Sequence, residues 1–426
     1  MSEATVHRNA KRWRNVPTFF PPLLSALQFR NPQIEALQSL NTTEWEELLS
    51  FSDLAHLTLL LSELPSDVLP SWAMSRIQTN VRDNTKRIER IKDAYREIAL
   101  ALDKEQLGYL LIKGFTQYPE FVKKANLRMQ SDFDIYIPQE AIFRGRDALL
   151  GLGYKERDLP PNVPVDHLPT LVRKGSWQWN GNHFDPEMPP SVEIHFCLWN
   201  EEAARFAVKE CDDFWGRRVR RSVDGLDFTA LHPADHIAFL SFHILRGLLR
   251  TDWVIHHVYE LAYFLHTHVE DRSLWTSWRQ LHSESTRDLQ AISFALAKTW
   301  FNCDVGVEAE EQISKLSPAV QQWLLRFADS PLEWMFTPNH DSVWLHISLV
   351  ESFNLKISIV RAALLPNRIP SLKITDSTGS SNRRLEGQSR FKGIRYMSYA
   401  ANRLRHYSYS FYRGVWRGAG WWLAKR

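Results

Sequence analysis

The sequence predicts an α+β protein: a small mixed-sheet core flanked by N- and C-terminal helical regions. Three observations predict it. Helical periodicity fills residues 30–107, short apolar runs bounded by turn residues cluster between about 108 and 200, and helical periodicity returns over 232–365. The expected division is a helical leader at 1–107, a core at 108–230, a helical C-terminal domain at 231–370, and a linker with a basic aromatic tail at 371–426. For a chain of 426 residues, two to three structural units is the ordinary expectation.

In the leader, residues 35–40 and 45–49 have helical spacing, with Thr43 as the expected N-cap, and 53–64 continues with a dense leucine face. Pro65 and Pro70 break the pattern. Residues 76–102 read as one long charged helix, with Ile88, Ile91, Ala94, Ile98 and Leu102 at three- to four-residue intervals. The period changes at Tyr109-Leu110-Leu111-Ile112, a buried strand closed by Lys113-Gly114. Residues 119–128 are compatible with a helix, 133–137 with a second strand ended by Pro138, and 141–150 with a helix stopped by Gly151 and Gly153. A polar, Pro-rich excursion covers 154–190, and 192–199 is a third strand. Helices are expected at 232–249, 253–268, 288–301, 318–327 and 345–365, and a Ser/Thr/Gly/Asn-rich linker at 371–388.

Composition is that of a soluble globular chain, 44% hydrophobic and 24% charged, with apolar material for a core that needs no staple. Cys197, Cys211 and Cys303 form no C-x-x-C, which excludes a zinc ribbon or disulfide scaffold and fits a reducing compartment. The first 27 residues lack the apolar stretch of a signal peptide, and no run of eighteen apolar residues occurs, so no transmembrane segment is expected. The expected location is cytoplasmic, with peripheral attachment at the inner membrane face through the tail as a variant. The net charge of +3 conceals an asymmetry: residues 382–426 hold eleven Lys or Arg against Glu386 alone, leaving the rest at −7.

The chemistry centres on Ser131-Asp132-Phe133-Asp134-Ile135-Tyr136-Ile137. Alternate side chains of a strand share a face, so Asp132 and Asp134 point one way and Phe133, Ile135 and Ile137 the other. Two neighbouring carboxylates repel unless a cation neutralises them, and Mg²⁺ is held through one or two carboxylates plus substrate phosphates. Val192-Glu193-Ile194-His195-Phe196 repeats the pattern, with Glu193 and His195 sharing a face. Three carboxylates on adjacent strands suit a pair of metals roughly 3.5–4 Å apart, a clamp for in-line displacement at phosphorus. A solvated strand face is the plainer explanation of an Asp-x-Asp pair, and residue spacing alone does not separate the two.

Leu111-Ile112-Lys113-Gly114, Tyr118-Pro119, Arg128 before Asp132-x-Asp134-Ile135, and Val192-Glu193-Ile194-His195 occur in this order. Together they resemble an uncharacterised bacterial nucleotidyltransferase family of the DNA-polymerase-β-like superfold. The resemblance spans roughly residues 30–370, including Arg361-Ala362-Ala363-Leu364-Leu365-Pro366 near its end. It implies Mg²⁺-dependent transfer (Mn²⁺ being an alternative ion) of a nucleoside monophosphate from an NTP to an unidentified acceptor hydroxyl or phosphate. Asp132, Asp134 and Glu193 would be the catalytic, metal-holding residues. Lys113, Gly114, Arg128 and His195 are the candidate substrate- or phosphate-binding residues. In place of the Gly-Ser or Gly-Gly loop of better-studied superfold members stands Lys113-Gly114, so phosphate contact would come partly from a lysine point charge. The alternative is an inactive nucleotidyltransferase-like scaffold that binds a ligand or partner and associates with membrane through its tail.

Each supporting residue has a second explanation. Lys113 either binds phosphate or is a solvated strand-end lysine; Arg128 either clamps phosphate or neutralises the aspartates; His195 either acts as a base or orients Glu193. His232 and His236 have zinc-like spacing, but Pro233 marks His232 as a helix-start residue. His243 and Glu260 resemble a histidine and a later acidic residue of the family. In the tail, aromatic residues including Tyr396, Tyr399, Tyr407, Tyr409, Phe411, Trp421 and Trp422 interleave with Arg403, Arg405, Arg413 and Arg417. This suits packing on the protein, or residues 389–426 meeting an anionic membrane or single-stranded nucleic acid. Removing either Asp132 or Asp134 should leave apo stability unchanged or slightly higher by relieving repulsion.

Overall fold

The computed structural model describes residues 16–157, 165–173 and 175–364, together with Tyr412, Trp416 and Gly418. The chain divides into two units, Met1–Leu316 and Ser317–Arg426.

The first unit opens with helices α1 (Phe20–Ala26), α2 (Thr42–Leu54) and α3 (Ser71–Lys104). Asn41, not Thr43, caps α2: its side chain accepts the Glu44 amide N–H, and the Glu44 carboxylate accepts the Asn41 N–H. The leucine-rich stretch behind it forms a 3₁₀ turn at Thr58–Glu63. Helix α3, 34 residues and therefore about 51 Å long, buries Ile77, Ile88, Ile91, Tyr95, Ile98 and Leu102 along one stripe.

From Ile91 onward that stripe packs on the apolar face of a sheet. Its strands are β1 (Leu110–Leu111), β2 (Asp132–Tyr136), β3 (Lys155–Glu156), β4 (Leu171–Val172), β5 (Ser191–His195), β6 (Val219–Val223) and β7 (Leu226–Ala230), in the order β3-β4-β5-β2-β1-β7-β6. β2 and β5 are parallel, as are β1 and β7; the other pairs are antiparallel. Helix α4 (Ile142–Gly151) lies between β2 and β3 in sequence and packs with α3. Residues 119–128 do not form the helix their composition allows. They follow a 3₁₀ turn at Gly114–Gln117 and contain another at Ala125–Leu127, where Asn84 donates to the carbonyls of Asn126 and Arg128, and Arg221 donates to the Tyr118 carbonyl just before them. The β6–β7 hairpin was not expected; Asp224 and Gly225, at φ 49° and 73°, make the tight left-handed turn it needs.

After the short α5 (Glu201–Ala204) come α6 (Pro233–Arg250), α7 (Ile255–Thr267), α8 (Arg272–Leu281), α9 (Glu284–Phe301) and α10 (Gly306–Lys315), of which α8 and α10 were not expected. His232 Nδ1 accepts the Ala234 amide at the start of α6, the helix-start role that Pro233 signalled. Trp275 and Trp278 are core residues.

The second unit contains α11 (Pro318–Phe327), α12 (Ser330–Trp334), α13 (Ser342–Ser348) and α14 (Phe353–Leu364), the last two replacing the single helix expected over 345–365. Gly418 is buried against the Trp344 ring so closely that a Cβ there would lie 2.0 Å from it. Tyr412 and Trp416 stack with ring centroids 6.5 Å apart and are 66% and 71% exposed. The 371–388 linker and the remaining tail aromatics, including Tyr407, Tyr409 and Phe411, lie outside the described residues. No helix of the described residues is long and apolar enough to cross a membrane.

Candidate active site

Strands β2 and β5 pair in parallel with Asp132 opposite Ser191, Asp134 opposite Glu193, and Tyr136 opposite His195. The two alternations are therefore in phase. Phe133, Ile135, Val192 and Ile194 pack into the core cluster with α3, while Asp132, Asp134, Glu193 and His195 share the other face.

On that face Asp134 is the hub. Lys113 Nζ lies 2.8 Å from its Oδ1, and His195 Nε2 lies 2.9 Å from the same oxygen. Glu193 accepts the Thr170 hydroxyl at 3.2 Å, with His167 Nε2 at 3.8 Å and His195 Nε2 at 4.0 Å. Asp134, Glu193 and His195 each offer one ligand atom, all within 4.8 Å of one another. Asp132 lies outside that group, and among the described residues no side chain hydrogen-bonds its carboxylate. Burial and then the charge of Asp134 push the Asp132 carboxyl up to about 6. Burial would raise Asp134 as well, but the Lys113 charge and the His195 contact outweigh it and hold this carboxyl well below the usual range.

Lys113 ends the strand-to-turn transition, and Gly114 beside it has φ +79°. A Cβ at Gly114 would lie 2.4 Å from the Gln130 amide. The glycine thus admits Gln130, which donates to the Asp132 carbonyl, while Arg87 of α3 donates to the Gln130 carbonyl. Arg128 does not contact the aspartates: its Nε donates to Glu260 of α7 at 2.7 Å.

That contact belongs to a second wall, formed by α6 and α7. Glu260 Oε2 accepts from His257 Nδ1 at 3.2 Å, His257 Nε2 meets His243 Nε2 at 3.0 Å, and His243 Nδ1 accepts from Arg246 at 2.9 Å. Arg246 pairs with Asp166, whose carboxylate is 3.7 Å from His195 Nδ1. Burial holds His243 and His257 neutral, well below the usual histidine range, helped by the nearby Lys113 charge. Asp166, His167, Thr170, Arg246 and His257 had no recognised signal in the sequence. For the helical pair it was available, as His243/Arg246 and His257/Glu260 both stand three residues apart on one helix face.

Two strands present their carboxylates in phase, with Arg128 and Arg246 nearby. The model of the family described as uncharacterised nucleotidyltransferase matches residues 41–302, and the chain belongs to that family. No curated protein and no solved structure matches it.

Proposed function

We propose that the chain transfers a nucleoside monophosphate from an NTP to an unidentified acceptor hydroxyl or phosphate, with Asp132, Asp134, Glu193 and His195 as its site. The observation that carries this reading is the register that sets Asp134 opposite Glu193 within a chain of this family. The donor set fits a hard divalent ion such as Mg²⁺ or Mn²⁺. Asp134, Glu193 and His195 converge within 4.8 Å, and Asp132 adds a half-buried carboxylate that no side chain among the described residues hydrogen-bonds. Such an ion supplies charge neutralisation of the phosphates and lowers the pKa of a bound hydroxyl. Lys113 neutralises Asp134 before substrate arrives and is the side chain nearest to exchange that partner for a phosphate. Arg128, held beside the aspartates by Glu260, presents a planar guanidinium to the same anion.

One observation favours the alternative of an inactive scaffold: Asp134 Oδ1 is already engaged by both Lys113 and His195. Incubation with each α-labelled NTP, Mg²⁺ or Mn²⁺ and a lysate of the source cells separates the two. Transfer of label by the wild type and none by Asp134→Asn supports the enzyme; NTP binding without labelled product under any condition supports the scaffold. For the tail, the +10 balance and the exposed Tyr412–Trp416 pair favour an anionic membrane surface over nucleic acid, and so a peripheral cytoplasmic location.

A further inference from the structure

From the geometry of the helical wall we infer that Glu260 is a positioning residue that aims Arg128 at a bound triphosphate, and that the His257–His243–Arg246 chain fixes Glu260 for this task. The inference rests on the triphosphate-binding reading above.

Proton directions along the chain leave one consistent arrangement. Arg246 can only donate, so His243 Nδ1 accepts and His243 carries its proton on Nε2. That proton points at His257 Nε2, so His257 carries its own on Nδ1 and donates it to Glu260 Oε2. The second carboxylate oxygen, Oε1, accepts from Arg128 Nε. Every donor meets an acceptor, from one guanidinium to the other. Arg246 also ties the chain to Asp166, which faces His195 at the carboxylate cluster. The helical wall is thereby tied to the segment carrying Asp166, whose carbonyl accepts the Phe196 amide beside β5. With Nε taken by Glu260 and one terminal nitrogen 3.4 Å from the Met129 carbonyl, the orientation of the Arg128 guanidinium plane is set before any ligand arrives. Holding a planar donor in advance lowers the ordering cost of binding an anion.

Glutamine at position 260 cannot replace glutamate. It offers one acceptor oxygen to two donors, and its NH₂ must face either Arg128 or His257. A tautomer change at His257 would set its Nε2–H against that of His243, and a change at His243 would set a proton against Arg246. The mismatch runs to a group that cannot accept, so Arg128 loses its fixed aim.

The test measures binding of Mg²⁺–tripolyphosphate, which carries no base, by titration calorimetry. It compares wild type, Glu260→Gln, Arg128→Met and the double variant, with thermal unfolding alongside. Glu260→Gln is expected to weaken Kd by about tenfold or more, as for a charged hydrogen bond lost. The double variant is expected to bind no more than about threefold more weakly than Arg128→Met, because Glu260 acts only through Arg128. Arg128→Lys, which keeps the charge against Glu260, replaces Arg128→Met if the latter fails to fold. Wild-type affinity in Glu260→Gln, or losses that multiply in full, overturns the positioning role alone. A wild-type protein that does not bind Mg²⁺–tripolyphosphate overturns this inference together with the reading it rests on.

Discussion

On the sheet side of the site, Asp132, Asp134 and Glu193 crowd one strand-pair face, and one of them, Asp132, has no side-chain hydrogen bond among the described residues. On the helical side, the buried His257 and half-buried His243 are held neutral, with their protons passed from donor to acceptor between two arginines. The first wall concentrates carboxylates, and the second links two arginines through a chain of side-chain hydrogen bonds. Under the proposed function, the first wall would take the metal and the second would hold the phosphates in place. The two walls also respond to acid in opposite directions.

The largest expected effect breaks the equivalence of the two aspartates. Sequence spacing suggested that removing either relieves repulsion, but Asp134 is the partner of both Lys113 and His195. Asp134→Ala should abolish nucleotidyl transfer and also destabilise the apo protein by about 3 kcal/mol, the usual cost of stranding a buried charge. Denaturant unfolding checks this, and unchanged stability would show the Lys113 pair to be dispensable.

The next effect concerns acid. Burial lowers His236 of α6 to about 3, so between pH 6.5 and 3 the unfolded chain takes up a proton that the folded chain refuses. Stability is full above pH 6.5 and falls as pH drops through that window. His236→Phe should therefore lose less stability than wild type between pH 7 and pH 5, by up to about 2 kcal/mol at 1.4 kcal/mol per pKa unit. Parallel urea curves at the two pH values decide it; equal losses would mean that His236 is not buried neutral.

A smaller effect of opposite sign belongs to Asp132, whose folded-state carboxyl is raised to about 6. Wild type loses stability as pH rises from about 3.8 to 6 and carries the full penalty above it. Asp132→Asn should be more stable than wild type at pH 7, by well under the ~3 kcal/mol of the full shift because solvent screens this half-buried carboxylate, and no more stable below pH 4. Mg²⁺ should raise the melting temperature of wild type more than that of the variant. A variant less stable at pH 7 would contradict the raised carboxyl.

The smallest effect tests the tail. Ending the chain at Gln388 should lower the melting temperature by only a few degrees, through loss of the Gly418 contact with Trp344. It should leave NTP binding intact and abolish sedimentation with anionic vesicles at low salt. A large drop in melting temperature, with no vesicle binding by the full chain, would make the tail a packing element.

The strand pair was legible because period-two alternation and the Asp-x-Asp and Glu-x-His spacings are local. The helical wall was not, since nothing in the sequence says which face of α6 meets α7, and Asp166 and Thr170 sit in an excursion without periodicity. Gly114 was legible as a turn, but its neighbour Gln130 arrives from sixteen residues away. The Asp224-Gly225 turn had a readable signal and was passed over; the cap at Asn41 was missed because Thr43 lies nearer to the apolar run.

The in-phase pairing of β2 and β5 carries one more consequence, for quality control during folding. A one-residue slip of β5 would turn Glu193 and His195 into the core and expel Val192 and Ile194, which are fully buried. Each expelled side chain would forfeit roughly 1.5–3 kcal/mol of burial, and the inward carboxylate would add its own penalty. Misassembled molecules therefore fail to fold rather than fold with a scrambled site. The apolar face of the sheet proofreads the polar one.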